Sequence, residues 1–276
     1  LLILGGNPAF SAPADVNFAD GLAQVDFSVH LSLYEDETSE LCTWHVPATH
    51  YIEEWSDGRT FDGTASLVQP PIGPLYNTVR SAHQMVAVLA GDERTSYDIL
   101  REFWQSEFGG SEADFEGFWR KALHDGVVAD STPDPIQPSL AGDMGEQIGA
   151  MADVSSVGLE FVFRPDPSMW DGRFSMNSWL QELPHPLTKI SWDTAATLSH
   201  ATAEELGVGN GELANLVLNN NLVVMPVWIM EGHADGVVTI PLGYGSGIGE
   251  DVEAGQSFNG YLIRSSDAAV KQKLLA

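Results

Sequence analysis

A glycine turn near the start of the chain is the first segment whose residue types could do chemistry. The apolar run 1–4 ends at Gly5-Gly6-Asn7-Pro8, a pattern typical of a strand that opens into a turn. Glycine lets a backbone approach a phosphate closely, and peptide N–H groups can donate hydrogen bonds to it. The same residues are also ordinary turn chemistry, and the G-x-G-x-x-G pattern of a nicotinamide site is missing. A phosphate cradle and a plain turn both stay open.

Elsewhere, no reactive side chain stands in a pattern that supports catalysis or metal binding. Metal-binding histidines need partners at set spacings, and adjacent acids on a loop are usually solvated. A cysteine becomes a nucleophile beside an electropositive group. The residues that fail these tests are His45, His50, His200, His233, Cys42, Glu53 and Glu54. We predict no catalytic residue and no metal ligand.

An α/β sheet would have to position the glycine turn. Residues 27–34 alternate apolar and polar side chains and predict a second strand, which ends in the polar loop 35–39. A third apolar segment follows at 64–70, and helical patterns begin at Ser81, Ser96 and Ala113, the last ending at Gly126. Strands that alternate with helices favour a mostly parallel, Rossmann-like sheet with right-handed crossovers.

The second half of the chain has a different pattern. It predicts strands at 159–163, 216–229, 236–243 and 261–264, with Asn219-Asn220-Asn221 as the turn inside the second segment. One short helix lies between them, with Ser199 as its N-cap and Gly207 as its C-cap. We predict a closed β-barrel with small helices.

A change in composition separates the two halves. From about residue 129 to 151 the chain is rich in Pro, Asp, Ser and Gly, which is typical of a linker. We therefore predict an α/β domain over 1–130, a linker over 131–154 and a β-barrel domain over 155–276.

Composition excludes several function classes. The 276 residues include 39 acidic and 12 basic ones, and the formal charge of -27 would repel nucleic acids and anionic lipids. A single cysteine excludes an internal disulfide, a four-cysteine zinc site and an iron–sulfur cluster held by this segment alone. No apolar run approaches the ~20 residues that span a bilayer, so we predict no direct membrane insertion. The chain starts within a strand and without Met, and we expect a piece of a longer protein.

The order of these motifs resembles the C-terminal half of the molybdopterin oxidoreductases related to dimethyl sulfoxide reductase. In that family a glycine-rich turn with Asn-Pro is followed by a Thr-Glu-Thr-Ala-like loop, then by Val-Leu-Pro-Ala and a Glu. The matching segments here are 5–8, Asp36-Glu-Thr-Ser39, His45-Val-Pro-Ala48 and Glu53. The second half is similar to the family's last domain, a double-psi β-barrel, which here matches 199–208, Gly211-Glu212 and 237–245. The resemblance covers nearly the whole chain.

One branch of the family is more similar still: the molybdopterin-like iron–sulfur subunit of alternative complex III, a bacterial quinol:cytochrome c oxidoreductase. The segments that carry this likeness are 177–184, 186–193, 232–235 and 242–245. This resemblance implies a protein that kept the molybdoenzyme fold without a molybdenum cofactor. It also implies iron–sulfur clusters outside this segment and a place on the periplasmic or extracytoplasmic face of the inner membrane, among the other subunits of a membrane-associated respiratory complex.

A departure from the family pattern also argues against a bound cofactor. Cofactor-bearing relatives end the second strand with an Asp that binds guanine and place a Thr four residues later. Aligned on Glu37-Thr38, the corresponding residues here are Ser32 and Asp36. Loss of the carboxylate removes charge-assisted hydrogen bonds worth about 1.5–3 kcal/mol each, and a carboxylate at Asp36 would face an anionic nucleotide.

Three functions follow as alternatives. The first is a cofactor-free scaffold or electron-transfer component of a respiratory quinol:cytochrome c oxidoreductase. The second is the C-terminal part of a true oxidoreductase that completes a site for bis-molybdopterin guanine dinucleotide, and the third is a free-standing nucleotide-binding module. The resemblance implies a cofactor-binding set, which the first alternative makes vestigial: Gly6, Asn7, Ser32, Asp36, Thr38 and Asn177.

Overall fold

The computed structural model describes residues 1–150, 158–247, 258–266 and 271–273. The chain folds into two compact units. Unit one combines Leu1–His45 with the described part of Ser155–Ala276, and unit two is the described part of Val46–Val154. These units do not coincide with the predicted domains 1–130 and 155–276, whose assignment to family domains stays a prediction. Part of the predicted linker 131–154 lies outside the described residues.

The chain opens in unit one with a small sheet of order β1-β2-β3. Its strands are β1 (Leu2–Leu4), β2 (Val29–Ser32) and β3 (Trp44–Pro47), and β1 pairs with β2 in parallel. The predicted first two strands and their parallel pairing are therefore confirmed. The connections carry α1 (Pro8–Ser11), a 3-10 turn at Ala14–Val16, α2 (Phe18–Leu22) and α3 (Glu37–Leu41).

The polar face of β2 is the buried one. Ser28, His30 and Ser32 are buried, as is Leu31, whereas Phe27 is exposed. A polar row inside the protein must find hydrogen-bond partners there, because an unpaired buried polar group is costly. This row forms one wall of the candidate site.

Unit two is built on a hairpin and three helices. Strands β4 (Ser56–Arg59) and β5 (Ala65–Val68) pair antiparallel, and the helices are α4 (Ala82–Leu89), α5 (Ser96–Phe108) and α6 (Glu112–Asp125), followed by α7 (Met144–Ala150). Ser81 caps α4 with a capping box, and Gly126 ends α6 at a φ of 73°, as predicted. The core packs Ala65, Leu67, Leu100, Trp104, Phe115, Trp119, Ala122 and Val128.

The apolar segment 64–70 does not join the parallel sheet as predicted. It forms β5 in a separate two-stranded hairpin, because a turn over 60–64 reverses the chain. Gly63 has a φ of 87°, and Asp62 Oδ1 accepts a hydrogen bond of 3.0 Å from Thr64 N. The partner strand β4 is polar, so the hydrophobic pattern gave no sign of it.

The second half of unit one is a six-stranded mixed sheet of order β11-β6-β10-β7-β9-β8. Its elements are β6 (Glu160–Pro165), α8 (Ser178–Glu182), β7 (Ala196–Leu198), α9 (His200–Leu206), β8 (Leu213–Leu218), β9 (Asn221–Ile229), β10 (Val237–Leu242) and β11 (Lys271–Lys273). Its core packs Phe161, Phe163, Met225, Ile240 and Ile263 among others. The mixed α/β architecture is confirmed.

Local predictions in this half are confirmed with one exception. Ser199 caps α9, Gly207 ends it, and Asn219 and Asn220 take positive φ in the β8–β9 turn. The predicted strand 261–264 is wrong, because Gly260–Ile263 form a 3-10 helix. Asn259 caps that helix by accepting a bond from Tyr261 N. Gly260 lies so close to Ile240 that a Cβ would approach it to 2.8 Å.

Among the described residues, none of the helices combines the length and hydropathy that crossing a bilayer requires.

Phe163→Ala should destabilise unit one by about 3–5 kcal/mol, because it removes a ring that is 2% exposed and leaves a cavity. Urea unfolding followed by circular dichroism measures the change. Leu213→Ala, at a 64% exposed position of the same sheet, is the matched control and should change stability by less than about 0.5 kcal/mol. Equal effects of the two variants would contradict this packing.

Candidate functional site

Five of the six predicted site residues lie in one hydrogen-bonded network at the carboxyl ends of β1 and β2. The parallel pairing of these strands brings the turn after β1 and the loop after β2 to the same edge of the sheet, and Gly5 N donates to Leu31 O at 2.8 Å. Ligands of open α/β sheets bind at this edge. Position alone therefore makes it a candidate site.

Asn7 and Thr38 hold the turn and the loop together. Asn7 Oδ1 accepts from Thr38 Oγ1 at 2.8 Å and from Thr38 N at 3.3 Å. Thr38 Oγ1 in turn accepts from Ala9 N at 3.0 Å, and its side chain is fully buried. The hydroxyl of Thr38 is thus used inside the protein.

His30 is a central residue that the sequence analysis missed. Its ring is fully buried, with Nε2 2.9 Å from Gly6 O and Nδ1 2.9 Å from Ser39 Oγ. A carbonyl only accepts, so Nε2 carries a hydrogen. Nδ1 also faces Asp36 Oδ1, 3.3 Å away. The signal for this role was the alternation that places His30 beside Ser32 on the polar face of β2.

Asp36 serves α3 as its N-cap. Its Oδ1 accepts from Ser39 N at 2.9 Å and from Ser39 Oγ at 3.0 Å. Burial raises the pKa of this carboxyl, but hydrogen bonds from His30 and Ser39 and the charge of His30 outweigh burial, and the net pKa lies below its ordinary value of 3.8. Asp36 is therefore ionised at neutral pH.

Ser32 has no hydrogen left to offer a ligand. Its Oγ donates to Tyr34 O at 2.6 Å and lies 3.1 Å from His45 Nε2. His45 Nε2 is also 3.3 Å from the carbonyl of Ser32, so this nitrogen is the donor in both contacts. His45 fills the space beside Ser32, a role that its spacing in the sequence did not reveal.

Glu37 closes the network with a carboxylate. Its Oε2 accepts from Asn7 Nδ2 at 2.5 Å, and its Oε1 accepts from Ser246 Oγ at 2.9 Å and Gly247 N at 2.7 Å. Residues 246 and 247 follow β10 of the large sheet. One carboxylate thus joins the glycine turn to the segment after β10, through contacts more than 200 positions apart in sequence.

Asn177 does not join this network. It is the N-cap of α8, where its Oδ1 accepts from Leu180 N at 3.1 Å. Within the ranges that the structure describes, the hydrogen bonds of Asn177 are to its own helix and to Phe174. Its predicted place in a cofactor site stays a prediction.

The backbone at the turn is open, but the side chains around it do not fit an anionic dinucleotide. Gly5 and Gly6 have φ of 70° and 72°, and a Cβ on either would meet nothing within 4 Å. The charged groups beside them are the carboxylates of Asp36 and Glu37, and no Lys or Arg of the described chain donates to the network. Nor do the described residues contain a group of three metal-ligand side chains.

Known proteins support the resemblance drawn from the motifs. The chain is 24% identical to the menaquinone reductase, molybdopterin-binding-like subunit of Nitratidesulfovibrio vulgaris, over 94% of the chain and 38% of that protein. Acetylene hydratase from Pelobacter acetylenicus has the same fold, with a TM-score of 0.62 and 15% identity over 96% of the chain and 40% of the enzyme. No protein-family model matches the chain. The predicted resemblance to molybdopterin oxidoreductases is confirmed, and the chain spans about two fifths of each relative.

Asp36→Asn should cost about 1–2 kcal/mol of stability at pH 7, because it removes a charge that His30 and Ser39 stabilise. The pKa of Asp36 is lowered in the folded protein, so the ionised carboxylate stabilises the fold fully above pH 3.8. That contribution is lost as the pH falls through the lowered folded-state value. Unfolding free energies of both proteins between pH 7 and pH 3 should therefore converge at the acid end.

Asp26→Asn is the control for this titration, because Asp26 is an exposed acid just before β2. It should leave stability within about 0.5 kcal/mol at neutral pH. A stability gap for Asp36→Asn that persists unchanged at pH 3 would mean that the carboxylate charge is not what stabilises the loop.

Proposed function

We propose that this chain is part of a cofactor-free redox subunit, a scaffold or electron-transfer component of a respiratory quinol:cytochrome c oxidoreductase. The observation that carries the proposal is the hydrogen-bonded network at the carboxyl ends of β1 and β2, which we call the sheet mouth. There the chain's own side chains take the hydrogen bonds that a nucleotide would need. The similarity to a subunit named molybdopterin-binding-like also supports the proposal of a redox subunit.

Position 32, where cofactor-bearing relatives bind guanine, supports the cofactor-free proposal most directly. Cofactor-bearing relatives would place an Asp at position 32, whereas Ser32 donates to a backbone carbonyl two residues on and accepts from His45. The hydroxyl of Ser32 thus bonds to the protein itself and stands in place of the carboxylate that would accept from the amino and imino groups of guanine. Asp36, at the position of a Thr in those relatives, adds a negative charge.

The donors beside the glycine turn, where a phosphate would bind, also support a closed site. Glu37 occupies the amide of Asn7 and the peptide N–H of Gly247, two donors of the kind that bind phosphate oxygens. A carboxylate that accepts three hydrogen bonds acts as a built-in anion. A pyrophosphate would have to displace it and would meet its charge.

The architecture is compatible with the family's last domain. The large sheet combines two parallel pairs, β6 with β10 and β7 with β9, with antiparallel neighbours. This mixture supports the double-psi barrel that the resemblance implies. In this proposal the other subunits of a membrane-associated complex carry the iron–sulfur clusters and the chain lies on the extracytoplasmic face.

One observation favours the alternative, a fragment that completes a bis-molybdopterin guanine dinucleotide site. The glycine turn keeps its positive φ angles and its open face, as a phosphate cradle would require. Under this alternative the upstream part of the protein would supply the cations that the described residues lack at the site.

Ser32→Asp discriminates between the two functions. If the site is closed, a second carboxylate near Asp36 should destabilise the protein by about 2–4 kcal/mol at pH 7, because it adds negative charge to a buried site that already holds the ionised Asp36. The variant should not bind guanosine diphosphate, as measured by isothermal titration calorimetry. Ser32→Asn has nearly the same shape without the charge and should be destabilised less.

The alternative predicts the opposite result for the same pair of variants. Restoring the guanine-binding carboxylate should then create or strengthen guanosine diphosphate binding in Ser32→Asp and not in Ser32→Asn. Such a gain would overturn the proposal of a closed, cofactor-free site.

A further inference from the structure

A cavity in unit two combines aromatic walls with one acidic and one basic side chain. Its volume is about 560 Å³, within the range of small-molecule sites. The lining residues that matter are Glu53, Trp55, Tyr76, Arg80 and Tyr97. None of them belongs to the network at the sheet mouth.

Two of the aromatic rings are fixed by the core of the unit. Trp55 and Tyr97 pack edge to face, with ring centroids 4.9 Å apart and an interplanar angle of 66°. The hydroxyl of Tyr97 accepts a 3.1 Å hydrogen bond from Trp119 Nε1, and Trp119 is buried among the helices. The aromatic wall is thus preorganised, which lowers the cost of binding.

Glu53 brings a negative charge to this cavity. Its carboxylate accepts from His50 N at 3.0 Å and from Leu75 N at 3.1 Å. These backbone bonds lower the pKa of Glu53 below its ordinary value, so the side chain is ionised at neutral pH. Among the described residues no Lys or Arg forms an ion pair with it.

Arg80 brings the opposite charge and is not paired with Glu53. Its Nη1 donates to the carbonyl of Val79 at 2.8 Å. No carboxylate in the described part of the chain lies within ion-pair distance of its guanidinium. The planar fork of the other N–H groups suits a carboxylate from outside.

We propose that this cavity binds a small quaternary-ammonium carboxylate. Aromatic rings attract an alkylated ammonium through their negative faces, and a nearby carboxylate adds to that attraction. The ammonium group lies against Trp55 and Tyr97 near Glu53, and the carboxylate of the ligand pairs with Arg80.

Isothermal titration calorimetry of the full chain with glycine betaine and with choline tests the proposal. Both probes carry the quaternary ammonium, and only glycine betaine carries the carboxylate. Wild-type protein should bind both, with glycine betaine the tighter. Trp55→Leu and Glu53→Gln should each weaken both probes by about tenfold or more.

Matched variants separate the two ends of the ligand. Arg80→Gln should weaken glycine betaine by about tenfold and leave choline unchanged. Glu54→Gln alters the adjacent acid, which does not itself line the cavity but accepts a hydrogen bond from the lining residue Thr49. A glutamine amide oxygen can still accept that bond, so this variant should leave both affinities unchanged. Thermal unfolding of each variant checks that it folds.

Several outcomes would overturn the proposal. These are the absence of binding by wild-type protein, equal weakening by Glu54→Gln and Glu53→Gln, and an Arg80→Gln effect that is the same for both probes. If Glu53→Gln fails to fold, Trp55→Leu and Arg80→Gln decide the question, because both leave the hydrogen bonds of Glu53 to residues 50 and 75 in place.

Discussion

The structure at the sheet mouth depends on one constraint: a buried polar group must find a hydrogen-bond partner. The parallel pairing of β1 with β2 places a polar strand face, a glycine turn and an acidic loop at one edge. In an open α/β sheet a ligand often supplies the missing partners there. In this chain His30, Ser39, His45 and Glu37 form hydrogen bonds with groups at this edge, and we propose that they take the place of a ligand.

The charges of this network are consistent with the proposed closed site, in which protein side chains take the place of a ligand. A dinucleotide brings phosphate charge that cations would have to balance, and the described chain places none of its Lys or Arg residues there. Asp36 and Glu37 need donors, and they find them in peptide N–H groups, hydroxyls and the amide of Asn7. The same carboxylates that oppose an anionic ligand therefore stabilise the site without one. In this account the fold element survives because its interior is satisfied by other means.

Much of the fold could be predicted from the sequence, because local signals determine it. Caps at Ser81, Ser199 and Gly126 and the turn at Asn219 follow from backbone chemistry that a few residues specify. The hairpin β4–β5 was missed because β4 is polar. The strand predicted at 261–264 failed because Asn259 caps a 3-10 turn whose packing against Ile240 depends on distant residues.

The candidate site could be predicted only in part, for a related reason. Motif order placed Asn7, Ser32, Asp36 and Thr38 at one edge, and the structure brings them together. The partners that satisfy them come from a buried strand face and from a segment more than 200 residues away, which no local pattern connects.

The most direct test of the central claim is a joint metal and pterin analysis of the full-length protein, purified anaerobically. A closed, cofactor-free site predicts neither molybdenum nor tungsten in stoichiometric amount and no fluorescent pterin on oxidative release. Stoichiometric metal together with a released pterin would contradict it.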